Sequence, residues 1–261
     1  MASGPFIYNH ELFTVYQLPV LRDNYIYIIA NNRSRESLII DPASAEVVIN
    51  TCSELNLTPV TILNTHHHWD HTDGNSELVQ QYQIPVIAAG EKSAHISSSP
   101  AATMQMIGVN ITTITLPGHT LDHVAYYING ALFCGDTLFG AGCGRIFEGS
   151  AMQMWQSLCK LAQLPAESSL YSAHEYTIAN LRFARQVDPD NTLLEQRCKQ
   201  DRQRRRQGIP TIPSTIGMEC ATNPFLRPLN PQFCTRYAQQ NGIDNDAATV
   251  FAHLRRRKDQ S

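Results

Sequence analysis

Seven consecutive residues, Thr65-His66-His67-His68-Trp69-Asp70-His71, hold four of the chain's ten histidines and one aspartate. Neutral imidazole and carboxylate are good ligands for zinc and for other first-row divalent metals. In a His-x-His-x-Asp-His run a loop can turn alternate side chains toward one point. His66 and His68 can then reach one ion while Asp70 and His71 reach a neighbour. The side chain of His67 should point away from them, which suits packing or a hydrogen bond to a ligand. Thr65 and Trp69 are expected to shape and pack the loop. Each ion needs more ligands than two. "PGHT" offers His119, "CGDT" offers Asp136 and "AHEY" offers His174. A carboxylate can bridge two cations, which suits Asp136. The set comprises five histidines and two aspartates, enough for two ions plus water. His10, His95, His123 and His253 are read as ordinary core or surface groups.

Elements must carry these residues to one place. "FTVYQLPVLRDNYIYIIANN" reads as two apolar runs punctuated by "LRDN", and "SLIIDP" follows, together a strand meander. From Ser44, a candidate N-cap, Val47, Val48, Cys52 and Leu55 fall at helical spacing. "VTILN" is a short buried strand ending at the histidine run; "DGNSELVQQYQ" reads as a helix and "PVIAA" as a strand. "ITTITL" leads to Pro117 and His119. "LDHVAYYI", Asn129-Gly130 and "ALFCGD" give a hairpin signal. "SAMQMWQSLCKLAQL" is helical and "SLYSAHEY" a strand. Strands thus end in polar clusters at His66, His119, Asp136 and His174, and chemistry in layered α/β folds gathers at strand ends. Beyond Glu175, "TIANLRFARQV", "NTLLEQRCKQDRQRRRQ", "PQFCTRYAQQNG" and "AATVFAHLRRRKD" read as helices, with no further strand expected. "GIPTIPSTIGMECATNPFLRPLNP" reads as a long Pro-rich segment lying across the first domain. "RQRRRQ" reads as a solvated helix face.

Composition narrows the function classes. A length of 261 residues suits one large domain or two smaller ones, and the formal net charge of −3 supplies no positive field for nucleic acid. No apolar stretch reaches the roughly 18 residues of a membrane span, and the N-terminus lacks the pattern of a secretory leader. The seven cysteines are scattered without a C-x-x-C pair, so small buried hydrophobes in a reducing cytoplasm are expected rather than disulfides.

The T-H-x-H-x-D-H run followed by separate GH, GD and H motifs resembles the metallo-β-lactamase superfamily. "THHHWDHTDGN", "LPGHT", "CGDTLFGAGCGRIFEG", "AHEYTIANLRFA", the opening "LPVLRDNYIYII" and the ending "LRRRKD" together look like glyoxalase II, the hydroxyacylglutathione hydrolases, across nearly the whole chain. The resemblance implies an α/β fold, an αββα sandwich over residues 1–174, followed by a small α-helical glutathione-binding domain over 175–261. It implies a first metal ion on His66, His68, His119 and Asp136, and a second on Asp70, His71, Asp136 and His174. The ions implied are two divalent metals, zinc foremost, with iron or manganese as alternatives. It also implies that Arg145, Tyr176, Arg255 and Lys258 bind the glutathione moiety. Where some members carry tyrosine this chain has Phe147, for which shape packing is expected in place of a hydroxyl contact. Asn180 is a lesser polar candidate.

The activity implied is hydrolysis of S-(2-hydroxyacyl)glutathione thioesters such as S-D-lactoylglutathione, the second step of methylglyoxal detoxification. A water bridging two dications has its pKa lowered to ~7 or below, giving a metal-bridging hydroxide that attacks the thioester carbonyl. Asp70 is a candidate for orienting the hydroxide proton. The thiol leaves with pKa ~8–9, so no dedicated general acid is required. The expected partner is a small-molecule glutathione thioester, with no nucleic acid and no membrane, in a cytoplasmic monomer. The alternatives on the same scaffold are a glutathione persulfide dioxygenase with one iron ion on His66, His119 and Asp136, and another hydrolase such as a lactamase or lactonase. The complete second ligand set and the helical tail weigh against them. A nucleic-acid-processing role is disfavoured by the charge.

Overall fold

The strand meander forms as its alternating and continuous apolar runs require. A computed structural model describes residues 4–90 and 96–261, so His95 lies outside the described residues. Contacts divide the chain into two units, one of the described residues up to Ile114 with Val124–Asn129, the other of Thr115–His123 with Gly130–Ser261.

In the first unit β1 (Phe6–Asn9), β2 (Phe13–Val20), β3 (Asn24–Asn31) and β4 (Glu36–Ile40) are followed by α1 (Ala45–Leu55) and β5 (Thr58–Asn64). Then come α2 (Trp69–Thr72), α3 (Asn75–Tyr82), β6 (Val86–Ala88) and β7 (Ile96–Ser98). β1 to β7 form a seven-stranded sheet in sequence order. Pairing is antiparallel from β1 to β4 and parallel from β4 to β7. β3 is buried along almost its whole length, as befits a central strand. Val48 and Cys52 of α1 and Leu78 of α3 pack with Ile26, Ile28, Ile39, Ile62 and Val86 of the sheet. β8 (Thr103–Met106) pairs antiparallel with β9 (Val109–Thr115). β10 (Val124–Ile128) ends at Asn129 and Gly130, both at positive φ (43° and 86°), the conformation of a tight hairpin turn.

The second unit contains β11 (Ala131–Phe133), the ribbon β12 (Leu138–Phe139) and β13 (Gly142–Cys143), then α4 (Ala151–Ala162) and β14 (Ser169–Tyr171). α5 (Thr177–Val187), α6 (Thr192–Arg206), β15 (Ser214–Thr215), α7 (Ile216–Thr222), α8 (Pro231–Asn241) and α9 (Ala247–Asp259) complete it. β14 pairs parallel with β11 and antiparallel with β15. α4 begins with a capping box in which Ser150 accepts from the Gln153 amide and the Gln153 side chain accepts from the Ser150 amide.

Several sequence expectations are corrected. The segment from Gly208, read as a long Pro-rich stretch without elements of its own, holds β15, α7 and a 3-10 turn at Arg227–Leu229. β15 is the strand not expected beyond Glu175, and at two residues it is too short to leave a period in the sequence. Ser44 occupies the N-cap position of α1, but its side chain makes no capping bond. β1 and the β12–β13 ribbon are further short strands outside the sequence reading. All seven cysteines are free, five of them buried, as expected of small hydrophobes. Arg202, Arg205 and Arg206 lie on an exposed face of α6. Among the described residues no helix is long and apolar enough to cross a membrane.

Candidate metal centre

β5 delivers the histidine run at its C-terminal end, and the run is only partly a loop: residues 69–72 close one helical turn, with His68 at its N-cap position. The His71 amide and the Thr72 hydroxyl both bond the His68 carbonyl, at 3.0 Å and 3.1 Å. Beneath the run lies Asp41, buried just after β4 with φ of 51°. Its Oδ1 accepts the Thr65 amide at 2.8 Å, and its Oδ2 accepts the Thr65 hydroxyl at 2.7 Å. The same Oδ2 accepts Nδ1–H of His71 at 3.0 Å. Because the Thr65 hydroxyl proton goes to Asp41, its oxygen accepts from Nδ1–H of His66 at 3.0 Å. Both rings thus have Nδ1 protonated and Nε2 available as a ligand atom. Nε2 of His66 lies 3.1 Å from Nδ1 of His68, and Nε2 of His71 lies 3.6 Å from Oδ2 of Asp70. Asn24 donates to the same Asp70 oxygen at 3.0 Å and fixes that carboxylate. The first unit therefore presents two adjacent pairs of candidate ligand atoms, His66 with His68 and Asp70 with His71.

His67 is half-buried with its ring 5.2 Å from that of His68. Trp69 does not pack the loop as expected, since it is 66 % exposed; buried Thr65 carries that task through its bonds to Asp41 and His66.

The second unit brings together His119, Asp136 and His174. Nε2 of His119 lies 3.4 Å from Oδ2 of Asp136, and Nε2 of His174 lies 3.3 Å from Oδ1. Each carboxylate oxygen thus faces a different imidazole, the arrangement a bridging carboxylate needs. His119 donates Nδ1–H to the Arg145 carbonyl at 2.8 Å, which again leaves Nε2 as the ligand atom. His123 is not a bystander. It is buried, its Nε2 accepts the Asp136 amide at 3.1 Å and its Nδ1 meets the Thr137 hydroxyl at 3.2 Å. Gly144 has to be glycine, because a Cβ there would stand 1.9 Å from the Asp136 carbonyl oxygen. The donor set, imidazole nitrogens with fixed tautomers beside carboxylate oxygens, fits first-row divalent ions.

Of the substrate candidates, Arg145 is exposed with its guanidinium 5.0 Å over the Phe147 ring. Phe147 is 55 % exposed and its ring lies 5.1 Å from that of His119. Tyr176 stacks flat on His174 at 4.7 Å. Arg255 and Lys258 share α9. Arg255 is buried, donating to the Cys143 carbonyl at 3.1 Å and to Asp259 at 2.7 Å. Lys258 lies 5.5 Å over the Phe183 ring; burial, then the Arg255 charge, lowers its pKa. Asn180 faces inward and donates to the Gly140 carbonyl at 3.1 Å. The Cys143 thiol is pushed up to about 11 by burial, against the pull of Arg255, so it holds its proton at neutral pH and is no nucleophile. His10 stacks on Phe13 and His253 meets the Tyr237 hydroxyl at 3.0 Å, as expected of structural histidines.

Sequence reasoning missed Asp41, Asn24 and the role of His123. Asp41 carried a signal, since "SLIIDP" is another strand ending in a polar residue. Asn24 and His123 carried none, because their partners lie 46 and 13 positions away.

Comparison with known proteins agrees with this chemistry. Residues 20–106 and 100–174 match the model of the metallo-beta-lactamase superfamily, and residues 175–261 match the model described as hydroxyacylglutathione hydrolase C-terminus. The chain is 45% identical over 250 residues to a hydroxyacylglutathione hydrolase of Nitrosomonas eutropha, covering 94% of this chain and 97% of that one. It is 44% identical to one of a Synechococcus strain, over 94% of this chain and 99% of the other. The crystal structure of ETHE1 from Myxococcus xanthus shares the fold, with a TM-score of 0.67 at 22% identity over 93% of this chain and 89% of that one. An α/β chain with the metallo-β-lactamase fold, a helical C-terminal region and this set of histidines and aspartates belongs to the hydroxyacylglutathione hydrolase family of that superfamily.

Proposed function

We propose that the protein hydrolyses S-(2-hydroxyacyl)glutathione thioesters, S-D-lactoylglutathione foremost, to glutathione and the 2-hydroxy acid. The observation that carries this reading is Asp136, whose two oxygens face His119 and His174 separately, in a chain of this family. His66, His68, His119 and Asp136 would hold one divalent ion, and Asp70, His71, Asp136 and His174 a second, with zinc the metal proposed. Such ions supply a water acidified to pKa ~7 and Lewis-acid polarisation of the thioester carbonyl.

The chain's own residues do the rest. Asp41, directly and through Thr65, and the Arg145 carbonyl hold the Nδ1 side of His71, His66 and His119, selecting the neutral tautomer whose lone pair is on Nε2. Asp70, held by Asn24, would orient the proton of the attacking hydroxide. Arg145, Arg255 and Lys258 supply positive charge for the glutathione carboxylates, Arg in bidentate form where it can. Phe147 and Tyr176 offer ring faces to the thioester arm. Residues 1–174 form the catalytic domain in this reading and 175–261 the glutathione-binding domain. The protein works as a cytoplasmic monomer without nucleic acid, in the disposal of methylglyoxal-derived adducts.

Metal-loaded protein incubated with S-D-lactoylglutathione should release free thiol, and absence of turnover overturns the reading. His119→Ala should abolish activity and reduce bound metal, both read on the same sample.

A further inference from the structure

Four buried polar side chains of the C-terminal region converge on the main chain of residues 139–143. Asn180 donates to the Gly140 carbonyl at 3.1 Å. Glu219 accepts the Ala141 amide at 2.8 Å through Oε2. Asn223 donates to the carbonyls of Phe139 and Gly142, at 3.1 Å and 2.9 Å. Arg255 donates to the Cys143 carbonyl at 3.1 Å. The ribbon they hold has only two cross-strand pairs, and Ala141 sits at φ of 53°, so it cannot define its own shape. Glu219 is itself rigidly seated: it is fully buried, and Oε1 accepts from Arg197 at 2.6 Å and Ser214 at 2.5 Å.

The ribbon runs straight into the metal ligands. The Gly144 amide donates to the Thr137 carbonyl at 3.1 Å, pressing Gly144 against the Asp136 carbonyl. One residue on, the Arg145 carbonyl accepts Nδ1–H of His119. A displacement of residues 139–143 therefore moves both the backbone against Asp136 and the acceptor that sets the His119 ring.

We propose that Glu219 is a positioning residue for the metal centre. By holding the Ala141 amide it fixes the course of residues 139–145, and through them the ring of His119 and the backbone of Asp136. The inference rests on reading His119 and Asp136 as metal ligands. It gives the C-terminal region a role in metal affinity, separate from any contact with substrate.

The test uses the full chain, stripped of metal and titrated with zinc against a chromophoric chelator, with thermal melting to confirm folding. In Glu219→Gln the amide must turn its NH2 toward one of two sets of donors, so either Ala141 or Arg197 loses its acceptor. Zinc affinity should fall ~10-fold or more, the range for losing a partner that orients a ligand. Gly142→Ala tests the same path without touching the ion pair, since its methyl group would stand 2.2 Å from Asn180 Nδ2 and push the ribbon aside. It should weaken zinc binding likewise; adding Asn180→Ala relieves the clash but removes one of the four holds, so it should restore only part of the affinity. If Glu219→Gln does not fold, the Gly142 pair decides. A purely structural role would lower the melting temperature and leave the zinc affinity of the folded variants unchanged, which overturns the proposal. Wild-type protein that binds no zinc removes the metal reading and this inference with it; equal affinity in wild type and variants removes this inference alone.

Discussion

Asp41 does the work of two residues. One buried carboxylate sets the tautomer of His71 directly and that of His66 through Thr65. Asp41→Asn would put an NH2 where two donors now point, and it would remove the charge behind His71. We expect zinc affinity to fall by about 10–100-fold, measured by chelator competition on the folded variant; unchanged affinity would refute the role. His253 acts on stability instead. Burial, then the charges of Arg256 and Arg257, lower its pKa below the ordinary 6.5. Below 6.5 the unfolded chain takes up the proton first, so stability falls as pH drops through that value and gains nothing from this group above it. His10 shifts in the same direction, by burial. His253→Gln should flatten the acid side of the melting temperature against pH, and an unaltered slope would count against the assignment.

Helix α4 acts at the scale of an element. Its Ser157 hydroxyl donates to the Pro117 carbonyl at 2.8 Å, and Gly118 passes so close that a Cβ would lie 2.9 Å from Met154. The helix is thus the floor under the turn that carries His119. Ser150→Ala removes its capping box and should cost ~1 kcal/mol, lowering the melting temperature by about 2–4 °C for a chain of this length. A variant that melts with wild type would show the cap to be idle. The polar strand-end clusters were legible here for a local reason: each begins two to four residues beyond β5, β9, β11 or β14, at His66, His119, Asp136 and His174, so one short window contains both strand and candidate ligand. The β12–β13 ribbon was illegible for the opposite reason. Its two-residue strands have no period of their own, and its shape comes from Asn180, Glu219, Asn223 and Arg255.

For the whole molecule, the first contact unit carries His66, His68, Asp70 and His71 and the second carries His119, Asp136 and His174. In the proposed function α9 would supply charge to the substrate, and there Arg255 and Lys258 differ in their surroundings. Arg255 also holds the Cys143 carbonyl, whereas the Lys258 ammonium lies over the Phe183 ring. Lys258→Ala should therefore raise KM for S-D-lactoylglutathione with kcat nearly unchanged. Arg255→Ala should raise KM and also lower kcat, because the ribbon loses one of its four holds. Steady-state kinetics on the two variants would separate them, and identical effects would reject the distinction.

What the sequence determined by itself was the set of candidate ligands and the alternation of elements that presents them. Those are local facts: residue types that bind metals, at fixed spacing from apolar runs. What only the tertiary structure decided is how each ligand is held. Asp41 meets Thr65 across 24 positions, Glu219 meets Ala141 across 78, and Arg255 meets Cys143 across 112. A hydrogen bond between residues so far apart in the chain leaves no periodicity to read, because only the packing of the intervening elements brings donor and acceptor within reach.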